Sequence, residues 1–400
     1  MSHVFSLTSL LEQEGHEVRH FAMHHPENLE CEDSRYWVEE IDFAALNERK
    51  TLRSSLRVAG RAIYSPETAQ QLSRMLDDWM PDVAHVHSIH GHLSPSVLRT
   101  LRHRQVPVVW TLHDFRLLCP NSTFLSGDGV CERCAGGNVL HCITRRCKKG
   151  SIAASTVAAL ESAVHRLLRI QRWVDVFVAP SMFLQGKMVQ YGVTPDRIVF
   201  VRNGLGSQWV PHPASIGGPA LFVGRLSVEK GVHTVLRALA ALPEGRLEVA
   251  GGGPEEGALK ELSKTLGLDA RVSWLGRLGT REVEEALSRA AYVVVPSRWY
   301  ENCPYSVMEA QASGLPVIAS RLGGLPELVE DGVSGLLADA EDVQQWAEHM
   351  QRLWADRELA ERLHAGAVRK AAEYDLGLFY SRIMDVYEMA IRRSEARRRG

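Results

Sequence analysis

The sequence predicts an α/β protein of two domains, each a parallel sheet flanked by helices. Three observations carry this. The chain has 400 residues, more than one ordinary hydrophobic core organises, so two domains are expected. Short apolar runs rich in β-branched residues alternate with amphipathic stretches almost throughout, which is the pattern of βαβ units. Near the middle, between Gly204 and Gly218, the stretch GLGSQWVPHPASIGGP is rich in Gly, Pro and Ser and has no apolar period. It reads as a linker.

Taken in order, the chain opens on a helix whose apolar face is Phe5, Leu7, Leu10 and Leu11. The strands expected in the first half are His16–Met23, Val83–His87, Val106–Leu112, Val174–Ala179 and Ile198–Val201. In the second half they are Ala220–Val223, Leu247–Ala250, Val272–Trp274, Tyr292–Pro296 and Val317–Ser320. Apolar period places helices over Glu229–Leu242, Glu256–Leu266 and Arg281–Ala290. Everything after Glu341 reads as helical, the last helix being Leu376–Arg392, and the tail SEARRRG as a solvated, frayed end. The expected domains are 1–205, with a Cys-rich insertion over 119–150, and 206–375; residues 376–400 form a helix crossing back to the first domain. A dinucleotide-binding type of domain normally begins with a strand and a Gly-rich turn before its first helix. Neither precedes Phe5, and the reading is that the start of the protein is missing; the alternative is a sheet without its central strand.

Composition narrows the function classes. Hydrophobic residues make up 45%, charged residues 24%, and the formal net charge is −2. That is the balance of a soluble globular protein, with no basic excess to mark a nucleic-acid binder. No apolar run approaches the roughly 20 residues of a membrane span. The N-terminus lacks the basic start, apolar stretch and cleavage site of a secretory signal, so the expected location is the cytoplasm.

Of seven cysteines, five fall between Cys119 and Cys147. In a reducing compartment such a cluster reads as a metal site before a disulfide framework. Cys131 and Cys134 form a CxxC, half of a zinc site. Four thiolates drawn from Cys119, Cys131, Cys134, Cys142 and Cys147 would complete a tetrahedral structural site, with Gly127, Gly129, Gly136 and Gly137 letting the loop wrap an ion. Free thiols, disulfides formed on oxidation and an iron–sulfur cluster are the alternatives.

Three segments of the second half carry chemistry. In FVGRLSVEKG, Phe222–Gly231, a strand ends, Gly224 turns the chain, and Arg225 and Lys230 flank a helix start. A helix N-terminus with two cations suits a diphosphate; a plain strand-to-helix turn is the bland reading. In VAGGGPE, Val249–Glu255, glycines including Gly252 let backbone approach a ligand at the end of a strand, although Pro254 after them is also ordinary turn chemistry. In PSRWYENCPYSVME, Pro296–Glu309, Glu301 falls in a loop after a strand and Glu309 in the following helix. Ser306, Val307, Met308 and Ala310 mark that helix as buried, where a lone Glu is costly unless partnered.

With the Glu-x7-Glu spacing of Glu301 and Glu309 and the run GLPVIASRLGGLPELVEDGVSGLL, these segments resemble glycosyltransferase family 4, of the GT-B fold: two Rossmann-like domains facing across a cleft. HVH at His85–His87, TLHD at His113–Asp114, VAPS at Ala179–Ser181 and RNG at Arg202–Gly204 add to the resemblance in the first half. The resemblance implies a retaining enzyme that moves a sugar from a nucleotide-sugar to a glycan or lipid-linked acceptor. Arg225 and Lys230 would hold the donor diphosphate, Glu309 the ribose hydroxyls, and Glu301 the transferred sugar. The loop Glu301, Asn302, Cys303, Pro304, Tyr305 and Ser306 would help hold sugar and phosphate through the backbone N–H groups of its non-proline residues, and His113 would face the sugar across the cleft. No metal or other cofactor would be required for catalysis, since cationic side chains and helix dipoles offset phosphate charge. An epimerase or phosphorylase on the same architecture is disfavoured by Glu-x7-Glu together with FVGRLSVEKG; an inactive or partner-dependent nucleotide-sugar-binding homologue is the other alternative.

His87, His90 and His92 follow a strand and either line the acceptor cleft or are simply packed. Arg53, Arg57 and Arg61 form a stripe beside Leu52, Leu56 and Val58, and Arg166, Arg169 and Arg172 another beside Leu167, Leu168 and Ile170. Such stripes are solvated faces or hold a protein on anionic lipid at the inner face of the membrane. Val272–Arg277 is the candidate region for the nucleotide base.

Overall fold

Two parallel sheets organise the chain, as seen in a computed structural model that describes all residues except 1, 26–27, 29–30, 41–59, 62, 92, 128, 214, 216 and 400. The first sheet has β1 (Ala84–Val86), β2 (Val108–Thr111), β3 (Val176–Ala179) and β4 (Ile198–Phe200), neighbours in that order. The second has β5 (Ala220–Val223), β6 (Leu247–Ala250), β7 (Val272–Gly276), β8 (Tyr292–Val295), β9 (Val317–Ser320) and β10 (Gly335–Ala338). Its spatial order is β10-β9-β8-β5-β6-β7. Numbered within the domain this is 3-2-1-4-5-6 read from β7, the doubly wound order, so the chain reverses direction between β5 and β8.

Both faces of the central strands are buried, which is why they are apolar runs without alternation. One face of the first sheet packs with Leu98, Leu101, Phe115, Leu184 and Met188. The other is covered by two helices from opposite ends of the chain. Leu7 and Leu11 of Ser2–Gln13 and Phe379, Ile383, Val386 and Tyr387 of Leu376–Arg399 close over Val109, Val176 and Val178. The linker is pinned to the second domain: Trp209 is buried in its core and His212 N–H donates to the Ser313 carbonyl at 3.0 Å.

Several expectations are corrected. His16–Met23 forms no strand, only an isolated bridge from Met23 to Val38. Its backbone finds other partners: His20 N–H donates to Asp33 Oδ2 at 2.9 Å and the His20 carbonyl accepts from Trp37 Nε1 at 2.8 Å. The helix expected from Glu229 starts at Val232, because Gly231 takes a left-handed φ of 68° after a short 3-10 turn over Val228–Lys230. The tail is not frayed. Its helix runs to Arg399, with Arg393 paired to Asp196 at 2.7 Å and Arg397 to the buried Asp175. β10, a short apolar edge strand, was not among the expected strands. Arg53, Arg57 and His92 lie outside the described residues.

Candidate functional site

β5 ends at Val223, and Gly224, Arg225 and Leu226 lead into the turn before Val232–Ala240. Two close backbone approaches fix this turn. A Cβ on Gly231 would lie 1.9 Å from the Pro296 carbonyl oxygen, so the loops after β5 and β8 touch where the sheet reverses. Gly251, with φ 145°, would put a Cβ 1.8 Å from the Gly224 carbonyl oxygen. Main-chain bonds complete the junction, Gly224 N–H to Ala250 at 3.0 Å and Leu226 N–H to Gly252 at 3.1 Å.

A cavity of about 740 Å3 opens at the carboxyl ends of β5 and β6, lined by Gly224, Arg225, Gly252, Pro254, Arg277 and Leu278 among others. It is large enough for a nucleotide-sized ligand. Arg225 and Arg277 are exposed there, and neither has an ion-pair partner among the described residues. An open cavity with unengaged guanidinium groups is suited to an anion.

Beside the cavity, Lys230 and Glu301 meet at 2.7 Å. Glu301 is 5% exposed, and its Oε1 also accepts from Ser297 Oγ at 2.6 Å and Trp299 Nε1 at 2.8 Å. Three donors on one oxygen orient the carboxylate and leave its other oxygen unengaged by these donors. Glu309 lies in the helix Tyr305–Ala312 and is treated differently. Desolvation alone acts on it and pushes its pKa up to about 7. Pro304 caps that helix and Ser306 sits in its first turn. Cys303 is buried against Met308 Sδ at 3.6 Å, and burial raises its thiol to about 11.

Asn302 turns its side chain to the first domain. Ser181 Oγ donates to its Oδ1 at 2.6 Å, and its Nδ2 donates to the Leu112 carbonyl at 3.1 Å, one residue before His113. Nearby, Glu327 accepts from the Met182 and Phe183 N–H groups at 2.8 and 2.5 Å, capping the helix Met182–Gln190 from across the cleft. His113 Nε2 lies 2.9 Å from His87 Nδ1. Burial lowers the pKa of His113, so it presents a neutral imidazole at pH 7.

The Cys-rich insertion reaches the same region. Its Glu132 accepts from Lys187 Nζ at 2.7 Å, Tyr191 at 2.8 Å and the Tyr300 hydroxyl at 2.8 Å, tying the insertion to the loop that carries Glu301. Cys134, Cys142 and Cys147 pack together with Ala159, and Cys119 is buried in the main core. Burial, then mutual repulsion, raises Cys134 to about 11 and Cys142 to about 12. Among the described residues no three of the five sulfur atoms lie within 4.8 Å of one another.

Some of this escaped sequence reasoning. Ser297 and Trp299 had a signal, being donors within four residues of Glu301. Leu278 directly follows Arg277, the last residue of the segment expected to meet the base. Ser181 and Glu327 lie in segments that carry the resemblance, but their pairings, like those of Glu132, had no signal, because the partners are more than 50 residues away.

Comparison with known proteins agrees with this layout. The profile described as Glycosyltransferase Family 4 matches residues 2–207, and that described as Glycosyl transferases group 1 matches 219–370. A D-inositol 3-phosphate glycosyltransferase of Corynebacterium kroppenstedtii is 34% identical over 327 residues, covering 76% of this chain and 67% of the relative. One of Mycolicibacterium smegmatis is 37% identical over 191 residues, but that match covers only 45% of this chain and 43% of the relative. Among solved structures, sucrose-phosphate synthase from Thermosynechococcus elongatus superposes with a TM-score of 0.71 at 20% identity, over 96% of this chain and 92% of that one. Anabaena Alr3699/HepE in complex with UDP and glucose gives a TM-score of 0.62 at 19% identity, over 96% and 89%. The two solved structures share the GT-B architecture with this chain.

Proposed function

Because the chain belongs to glycosyltransferase family 4, we propose that it moves a sugar from a nucleotide-sugar to a glycan or lipid-linked acceptor with retention of anomeric configuration. The observation that carries this reading is the cavity of about 740 Å3 at the reversal point of the second sheet, with Arg225 at its wall and the Lys230–Glu301 pair beside it. Arg225 and Lys230 hold the donor diphosphate and stabilise the charge that develops on it as the bond to the sugar breaks. Glu309 accepts from the ribose hydroxyls. Glu301, held by Lys230, Ser297 and Trp299, places its second oxygen towards the transferred sugar. His113 faces that sugar from the first domain, and His87 fixes its ring. The acceptor oxygen bonds to the anomeric carbon on the face from which the phosphate leaves, and the phosphate takes the acceptor proton.

The acceptor belongs to the first domain. The outward face of the helix Ile152–Leu167 is apolar, with Ile152, Leu160 and Leu167 exposed, and exposed Arg146, Lys149, Arg169 and Arg172 flank its two ends. Such a face suits an anionic bilayer and a lipid-linked acceptor. No helix among the described residues is long and apolar enough to cross a membrane. Flotation with vesicles containing anionic lipid tests the contact: binding is lost in Leu160→Asp, and equal flotation of the two proteins refutes it. A phosphorylated polyol acceptor is the second reading, favoured by the names of the relatives. The Cys-rich insertion is further proposed to take a structural zinc, which metal analysis of the purified chain tests.

Thermal unfolding with UDP, GDP and ADP in turn tests the donor site. A nucleotide at about 100 times its Kd stabilises by about 2.7 kcal/mol. One nucleotide is expected to shift the transition and Glu309→Gln to lose the shift. No shift with any nucleotide overturns the reading.

A further inference from the structure

The helix Ile152–Leu167 turns Glu161 and His165, four residues apart, inward from one face. His90, from the loop after β1, meets them. One ligand atom from each of the three side chains lies within 4.8 Å of the others. All three are almost fully enclosed, with side-chain exposures of 10% for His90 and 4% for Glu161, and 6% residue exposure for His165. Yet both ring nitrogens of His90 and Oε1 of Glu161 have no hydrogen-bond partner. His90 Nδ1 stands 3.7 Å from that oxygen, too far for a hydrogen bond. Buried polar atoms left without partners are costly, and a His90 nitrogen facing Glu161 Oε1 asks for a ligand between them.

The remaining atoms are already arranged as the outer shell of a metal site. His165 Nε2 lies 3.0 Å from the Ile63 carbonyl, so it carries the proton and leaves the lone pair on Nδ1. Arg116 Nη2 holds Glu161 Oε2 at 2.6 Å, which orients the carboxylate and leaves Oε1 turned away from the guanidinium. Arg116 and Lys148 are the cations close by.

We propose that His90, Glu161 and His165 form a site for a divalent transition metal, zinc by the character of the ligand set, that braces the loop carrying His113. Two imidazoles and one carboxylate are a known zinc set, leaving one position for water. The role is positional. Arg116, which grips Glu161, donates its backbone N–H to Asp114 Oδ1 at 2.8 Å, so an ion fixing Glu161 fixes the turn after His113.

Cobalt titration of the chelator-stripped full chain tests this. A nitrogen–oxygen site gives visible d–d bands without the near-ultraviolet charge transfer of a thiolate site, so it is told apart from the Cys-rich insertion. His90→Ala and the milder His90→Gln, each checked for a native circular dichroism spectrum, are expected to bind one ion fewer per chain, with any thiolate band unchanged. Zinc is expected to raise the Tm of the wild type more than that of His90→Gln. Absence of nitrogen–oxygen bands in the wild type, or their persistence in a folded His90 variant, overturns the site.

Discussion

Glu309 holds a carboxyl that its helix removes from water without providing a donor, and its pKa rises to about 7. A group raised above its unfolded value near 4.5 adds stability below that value and loses it as pH rises through the folded value. The apo protein should therefore lose on the order of 2 kcal/mol between pH 5 and pH 8 through this group. Glu309→Gln should raise the apo Tm at pH 8 while abolishing the nucleotide shift. Nucleotide affinity should fall as pH drops below about 7, since only the carboxylate accepts from both ribose hydroxyls; calorimetric titration at pH 6 and pH 8 measures it, and equal affinities count against Glu309 as the ribose contact. Arg225 and Lys230 should separate by the same instruments. Arg225 is exposed, so Arg225→Ala should leave apo stability within about 0.5 kcal/mol and weaken nucleotide binding by roughly ten-fold. Lys230→Ala breaks a half-buried pair with Glu301 and should cost about 2 kcal/mol of apo stability besides affinity.

At the scale of elements, the site depends on how two loops lie together. Gly251 holds φ 145° against the Gly224 carbonyl, so Gly251→Ala should destabilise by about 3 kcal/mol or more. At Gly257, in the helix Glu256–Thr265, an added Cβ would meet nothing within 4 Å, and Gly257→Ala should stabilise by about 0.5 kcal/mol. Denaturant midpoints of the two variants should move in opposite directions; movement the same way would falsify the packing described for the triple glycine. The triple-glycine run was legible in the sequence as a turn at a strand end. That its first glycine is demanded by a neighbouring loop was not, since the contact spans two strands.

For the whole molecule, the two domains are held across the cleft by Asn302 on Ser181 and Leu112, by Glu327 on Met182 and Phe183, and by Tyr300 on Glu132. These polar clamps are few, and interfaces of this kind permit relative motion. In scattering, the free protein carrying Asn302→Ala and Glu327→Ala together should show a larger radius of gyration than the wild type, and nucleotide should narrow the difference. Superimposable curves for both proteins, with and without nucleotide, would leave no role for the clamps in closure. The C-terminal helix sets the other global constraint. It buries Phe379, Ile383 and Val386 over the first sheet although they follow the second domain in the chain.

Local rules in the sequence determined the parallel strands, the glycine turns after β5 and β6, the buried helix bearing Glu309 and the apolar face of the first helix. Each of these depends on neighbours a few residues away, where backbone period and turn chemistry act. Tertiary structure alone decided that Lys230 pairs with Glu301, 71 residues on, that Asn302 reaches Leu112, 190 residues back, and that His90 meets Glu161 and His165. It also decided against a strand at His16–Met23, whose one β-bridge among the described residues joins Met23 to Val38 at its end. A strand exists only when another offers its edge, and a buried charge only when a distant partner arrives, so neither is written in the residues next to it.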